Sequence, residues 1–254
     1  MRPWGWSRAA ALLAALAAAA PTSAVAQVIL RDQGSSPYET PQHFGLELRF
    51  GPYTPNIDSE FADRGSARTP YKDYFGSDDD LMTQVELDYQ FLRGVGSLGV
   101  GLTAGYFSNS ARAFQADGSR SGDETTLLLL PFSLSLVYRF DLLAERERFP
   151  LIPYAKLGLD YTYWSVKDGN GKIARDDAGN RARGGSTGWH AAAGVSLLLD
   201  VFEPDSARSL DSEIGVNHTH IFVEVGHFAV SSFGKAGALR VGDTTWFAGV
   251  LFEL

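Results

Sequence analysis

Eight stretches of this chain alternate apolar and polar residues with a period of two, and that repeat leaves few folds open. Successive side chains of an extended strand point to opposite faces, so each stretch has one apolar and one polar surface. The last, Thr244–Leu254, shows it most cleanly. Trp246, Ala248, Val250, Phe252 and Leu254 share one face, and Thr245, Gly249 and Glu253 the other. The others run at about 44–51, 82–92, 98–107, 126–140, 151–166, 188–200 and 218–228. In the first, Phe44, Leu46, Leu48 and Phe50 oppose Glu47 and Arg49; in the second, Val85, Leu87, Tyr89 and Phe91 oppose Glu86 and Asp88. Eight strands are an even number that can close on itself, which removes the unpaired edges of an open sheet.

Alternation alone fits a soluble barrel with its apolar face inside as well as a membrane barrel with that face outside. The aromatics separate the two. With the N-terminus on the inner side, Tyr106, Tyr161, Tyr163, Trp164, Trp189 and Trp246 collect at the outer rim, and Phe44, Tyr89, Phe91, Tyr138, Phe140 and Phe252 at the inner rim. Paired aromatic belts mark the two interfaces of a bilayer. Links also alternate roughly long and short, as external loops and periplasmic turns do: 52–81, 108–125 and 167–187 are long, and 93–97 is short. The link at 201–217 is too long for a turn. Pro204 and Gly215 suit the first position and the C-cap of a short periplasmic helix between them.

The chain opens with an export signal. Arg2 and Arg8 precede and flank an Ala/Leu run that Pro21 breaks, and Ala24-Val25-Ala26 fits a small-x-small cleavage rule. Residues 1–26 are therefore expected to be a signal peptide, 27–43 a periplasmic N-terminal segment and 44–254 the barrel. Removing residues 1–26 takes away two bases and no acid, so the mature chain is more acidic than the formal −8 of the whole. That balance speaks against nucleic acid as a partner. The chain has no cysteine, so packing and hydrogen bonds alone hold it.

Signal peptide, eight amphipathic strands, long outer loops and the terminal Trp246-x-Ala248-x-Val250-x-Phe252-x-Leu254 row together resemble the small eight-stranded outer-membrane β-barrels of the OmpA-, OmpX- and OmpW-like group. The resemblance covers the mature chain. It implies an all-β, antiparallel up-and-down barrel in the outer membrane, contacting outer-membrane lipid and lipopolysaccharide. It also implies that Trp246, Val250, Phe252 and Leu254 form the signal read by the barrel-assembly machinery. Leu254 stands where that signal usually ends in Phe.

Polar faces turned inward would fill the bore with Glu47, Arg49, Glu86, Asp88, Arg139, Lys156, Asp160, His218, His220 and Glu224. An eight-stranded barrel is just wide enough for side chains to fill it, so opposite charges should pair across it. His218, His220 and Glu224 share strand parity. A histidine, a hydroxyl and an acid suit acyl transfer, but Thr219, the hydroxyl between the histidines, has the opposite parity. Two histidines and a carboxylate on one strand face also suit a metal ion. The expectation is an interior hydrogen-bonded network, with neither catalysis nor cofactor.

Outside, Lys172, Arg175, Arg181 and Arg183 offer partners for lipopolysaccharide phosphates. Asp58, Glu60, Asp63, Asp73 and Asp78–Asp80, against Arg64, Arg68 and Lys72, could share divalent ions with the same lipid. Asp168, Asp176 and Asp177 temper the basic loop, and Asn170-Gly171 reads as a turn. The expected role is structural or surface-interacting, through loops that meet an extracellular ligand. A narrow channel for small or apolar solutes and a lipid A-modifying enzyme are the alternatives.

Overall fold

A computed structural model describes residues 43–63, 65–114, 120–142, 150–175, 179–235 and 238–254. The expected signal peptide, the segment 27–42, Arg64, Asp176 and Asp177 lie outside the described residues. Strands β1 (Phe44–Tyr53), β2 (Asp80–Gly94), β3 (Gly96–Phe114), β4 (Arg120–Arg139), β5 (Leu151–Lys167), β6 (Arg183–Leu198), β7 (His218–Val230) and β8 (Asp243–Glu253) pair in sequence order and close into a barrel. Every pairing is antiparallel. The seam joins Leu48 to Val250 and Leu46 to Phe252, and Phe44 and Leu254 exchange backbone hydrogen bonds beyond it. Following partners from Leu46 through Leu87, Leu102, Leu134, Leu159, Trp189 and Ala229 leads out past the end of β8 instead of back to Leu46. That stagger tilts the strands, as closure requires.

Burial is inverted relative to a soluble protein. Leu102 is 63% and Leu159 62% exposed, whereas Glu86 and Asp88 are fully buried. Hiding a leucine side chain from water is worth ~1.5–3 kcal/mol, so a belt this apolar belongs in hydrocarbon. A closed barrel satisfies its backbone internally and can sit there. The chain is a closed eight-stranded β-barrel with the apolar outer belt of a membrane-spanning one.

Several boundaries differ from the sequence reading. The 93–97 turn tightens to Val95 between two paired glycines. Gly96 has φ +93°, and a Cβ there would lie 2.4 Å from the Arg139 carbonyl oxygen, so the turn requires glycine. The expected 108–125 loop is mostly strand. β3 and β4 continue outward through Ser110–Thr126 and Arg112–Glu124 pairs, with Arg112 Nε 3.4 Å from Glu124 Oε1. Above the bilayer neither face needs an apolar row, so the ladder persists without the alternation that betrays it. β6 stops at Leu198, because Asp200 turns to bond His218 Nδ1 (2.5 Å) and the Thr219 amide (3.1 Å).

The long link after β1 carries two short helices, α1 (Asp58–Asp63) and α2 (Pro70–Phe75). Asp58 accepts the amides of Tyr71 (2.7 Å) and Lys72 (3.2 Å), satisfying the free N–H groups at the start of α2. On the inner side, α3 (Pro204–Ile214) begins on proline and ends at Gly215 in the left-handed region (φ +74°).

Candidate functional site

The bore is filled in layers. At its inner mouth Gln90 Nε2 donates to Glu253 Oε1 (3.3 Å), Arg93 donates to Gln90 (3.0 Å), and His220 Nε2 lies 3.8 Å from Glu253 Oε2. Nearby, in the link after β4, burial pushes the Asp141 carboxyl up, and a hydrogen bond from Ser97 opposes that shift.

Above this lies a charge cluster from five strands. Arg139 grips Asp88 with two nitrogens (3.0 and 2.8 Å) and reaches Glu47 (2.9 Å). Lys156 Nζ sits 2.6 Å from Glu47, 2.9 Å from Glu86 and 3.5 Å from Glu224. Arg49 binds Glu224 (3.0 Å) and Gln84 (2.6 Å). Thr103 donates to Glu86 at 2.8 Å. Carboxylate oxygens of Glu47, Glu86 and Asp88 lie within 4.8 Å of one another, the kind of set that could hold a metal ion. Lys156 and Arg139 already stand among them, so side-chain cations do the neutralising.

Asp160 faces the bore but stands apart from this cluster. It lies farther out, where its Oδ1 accepts the Ser133 hydroxyl (2.6 Å) and meets His190 Nδ1 (2.8 Å). His190 Nε2 is 3.1 Å from Ser135 Oγ, and the imidazole stacks on Phe228 at 5.4 Å. Sequence reasoning missed His190 and Ser135. Parity was the available signal, since Trp189 and Ala191 outward imply His190 inward. Hydroxyl, imidazole and carboxylate in line resemble nucleophilic machinery, but Ser135 is 1% exposed and its flanking glycines are crowded. Gly101 and Gly158 flank Ser135 in register. A Cβ on Gly101 would meet Glu86 Oε1 at 2.9 Å, and one on Gly158 would meet His190 Cε1 at 2.5 Å. The glycines make space for neighbouring side chains, and those side chains use it.

Of His218, His220 and Glu224, all expected to face the bore, His218 leaves it. His218 is held at the inner rim by Asp200, with its side chain 37% exposed. His220 is buried beside Glu253, and Glu224 bonds Arg49. The shared strand face keeps the His218 and His220 rings edge-on at 6.4 Å, but Glu224 turns instead to Arg49. One histidine does face outward near a hydroxyl: His227 Nδ1 is 2.7 Å from Thr244 Oγ1 and packs edge-on to Trp189 at 5.7 Å.

The outermost layer is apolar, which the sequence reading did not foresee. Phe107, Leu127, Leu129 and Phe247 point inward with Tyr53, Met82, Val230 and Val241, and Ile57 and Tyr71 of the α1–α2 segment pack on them. Tyr53 and Phe107 meet edge-on at 4.9 Å, and the Tyr53 hydroxyl donates to the Val241 carbonyl. Asn109 donates to the Tyr71 hydroxyl at 3.1 Å, yet burial still pushes that phenol up to about 12. A cavity of about 20 Å³ remains where the polar and apolar layers meet, bordered by Gln84, Ser133, Asp160 and Phe247. It has room for about one water.

Lys172, Arg175, Arg181 and Arg183 are all exposed. Asp168 Oδ1 accepts the amides of Asn170 and Lys172 (3.0 Å each), closing the turn between them. Trp246 is 51% and Leu254 37% exposed on the outer wall, with Val250 and Phe252 between them partly covered.

No protein-family profile matches the chain, and no curated protein matches it. Among solved structures it is similar to the outer membrane protein OprG from Pseudomonas aeruginosa, at 14% identity over 85% of this chain and 97% of that one, with a TM-score of 0.47. Neisserial surface protein A is similar at 11% identity over 84% and 97%, with a TM-score of 0.41. So is Ail, the attachment invasion locus protein of Yersinia pestis, solved with the heparin analogue sucrose octasulfate, at 8% identity over 84% and 97% and a TM-score of 0.38. The barrel itself stands on its own hydrogen-bonded registers.

Proposed function

We propose that this barrel is a sealed, non-catalytic surface protein that acts through its outer loops and not through its bore. The observation that carries this reading is occlusion by two unlike layers, an ion-paired plug and an apolar seal, one above the other. A solute path would have to separate Arg139 and Lys156 from their carboxylates and also displace Phe107, Phe247 and Tyr71. The enzyme alternative lacks support at both histidine positions: Ser135 is 1% exposed, and among the described residues His227 has a hydroxyl but no carboxylate beside it.

What the seal leaves for interaction is the outer surface. The exposed bases Lys172, Arg175, Arg181 and Arg183 suit phosphate groups of lipopolysaccharide. The terminal row of Trp246, Val250, Phe252 and Leu254 suits recognition by the assembly machinery as an exposed apolar strand face.

Conductance of the folded protein in a planar bilayer tests the reading, with heat-modifiable gel migration confirming the barrel. A folded, silent barrel is expected. Steady single-channel steps from wild-type protein would refute the sealed bore and restore the channel alternative.

A further inference from the structure

The outer wall of the β5–β6 hairpin carries a cationic ledge, and an apolar groove lined from β2 to β5 starts at its Tyr161. Along β6 the outward positions read Arg183, Gly185, Thr187 and Trp189, and along β5 Tyr161, Tyr163 and Lys167 share that face. Arg183 and Lys167 are exposed and have no ion-pair partner among the described residues. Just outward, a β-bridge sets Arg175 opposite Arg181. Like charges facing each other across strands repel, and a bound anion removes that cost. Inward of the ledge, the Tyr161 ring lies across Gly185, where a Cβ would meet its Oη at 2.4 Å. Tyr161 is also the upper wall of a groove of about 580 Å³ that faces the bilayer between Ala104, Phe132, Leu134 and Leu159. Ala104 opens it, being the small residue in the outward row Val85, Ala104, Phe132, Tyr161.

We infer that this face seats one molecule of lipopolysaccharide, with a glucosamine phosphate held by Arg183 and Lys167 and an acyl chain lying in the groove past Tyr161. Charge below the sugar layer and hydrocarbon below the charge are the order in which that amphiphile presents its parts. Guanidinium binds phosphate through two parallel hydrogen bonds. The groove is continuous with the lipid-facing belt, so the chain enters from the bilayer. This deepens the surface-barrel reading, because it rests on the hairpin facing the outer leaflet.

The test uses the full chain, purified from outer membranes in mild detergent. Retained lipid is counted by native mass spectrometry, and rebinding of added lipopolysaccharide is followed after delipidation. The wild type should retain one lipopolysaccharide and prefer it by ~10-fold over phosphatidylglycerol, and inorganic phosphate should not compete at millimolar concentration. Lys167→Gln with Arg183→Gln should weaken rebinding ~10-fold while heat-modifiable migration is kept. Ala104→Phe, or Ala104→Leu if the phenylalanine variant does not fold, should reduce retention by filling the groove. Unchanged rebinding in the double variant, equal affinity for phosphatidylglycerol, or indifference to filling the groove would each overturn the assignment. None of these outcomes bears on conductance, so a conducting barrel would sink the sealed-bore reading without deciding this one.

Discussion

The inner and outer halves of the bore have the same strand geometry and opposite chemistry. Along β1 the inward positions pass from Glu47 and Arg49 to Tyr53; along β4 they pass from Arg139 and Ser135 to Leu129 and Leu127. Within the bilayer, inward residues have no water to meet, and outward ones must be apolar. Inward charge then needs complete pairing, which Arg139, Lys156 and Arg49 supply. Above the bilayer, outward positions become polar and inward ones can form an ordinary core beneath α1 and α2. A single barrel thus closes itself twice, once by ion pairs that cannot leave and once by packing that water cannot enter.

The most severe way to break the inner half is Arg139→Ala. It strands Asp88 and Glu47 in a dry interior, and removing one partner of a buried pair costs about 3–5 kcal/mol. Urea unfolding in lipid vesicles, followed by fluorescence of the wall tryptophans, should show that loss. A shift below 1 kcal/mol would mean that water reaches the cluster. Leu129→Ala attacks the outer half, where the side chain is fully buried, and should cost about 3 kcal/mol by cavity formation. Neither variant alone should conduct, since each leaves the other stopper in place. Steps from Arg139→Ala alone would show that the apolar layer does not seal.

How much of this was legible in the sequence follows from what parity can and cannot encode. Period-two alternation marks strands and faces, so the inward turn of Glu86, Asp88 and Lys156 could be read directly. It carries no register, and register decides partners. Parity turns Asp160 inward, and the stagger decides that it meets His190 and Ser133 and not the charge cluster. His218 and His220, two residues apart on one face, go to Asp200 and Glu253 on different elements. The apolar seal left a trace that went unused. The unbroken run Leu127–Leu130 has no polar face, as expected where both faces of a strand are covered. Helices α1 and α2 span only six residues each, too short for a helical period to stand out.

Between the two halves, Ser135→Ala probes the hydroxyl–imidazole–carboxylate row. The change removes one hydrogen bond to His190 and leaves its bond to Asp160 intact. Loss of a single neutral hydrogen bond costs about 1 kcal/mol, smaller than either change above. Unfolding titrations should resolve it. An effect as large as that of Arg139→Ala would mean that the row is energetically joined to the charge cluster, and that the bore has one polar unit instead of two.

The smallest expected effect lies on the lid that α1 and α2 form over the apolar layer. Arg240 in the β7–β8 link pairs with Asp63 at the end of α1, and the acid's side chain is 62% exposed. An ion pair so open to solvent contributes about 0–1 kcal/mol and weakens with salt. The lid has other ties: the Asn56 amide donates to the Gly242 carbonyl (3.0 Å), the Thr54 amide donates to Asp243 (3.1 Å), and Tyr71 is buried against the seal. Arg240→Ala should therefore leave the midpoint of global unfolding within error of wild type. Hydrogen exchange in 58–75 separates two views of how the lid is held. If packing on Phe107 and Phe247 does it, exchange there will match wild type at both low and high salt. If the clasp does it, Arg240→Ala will speed exchange in α1 and α2 while β1 stays protected, and high salt will reproduce the effect in the wild type.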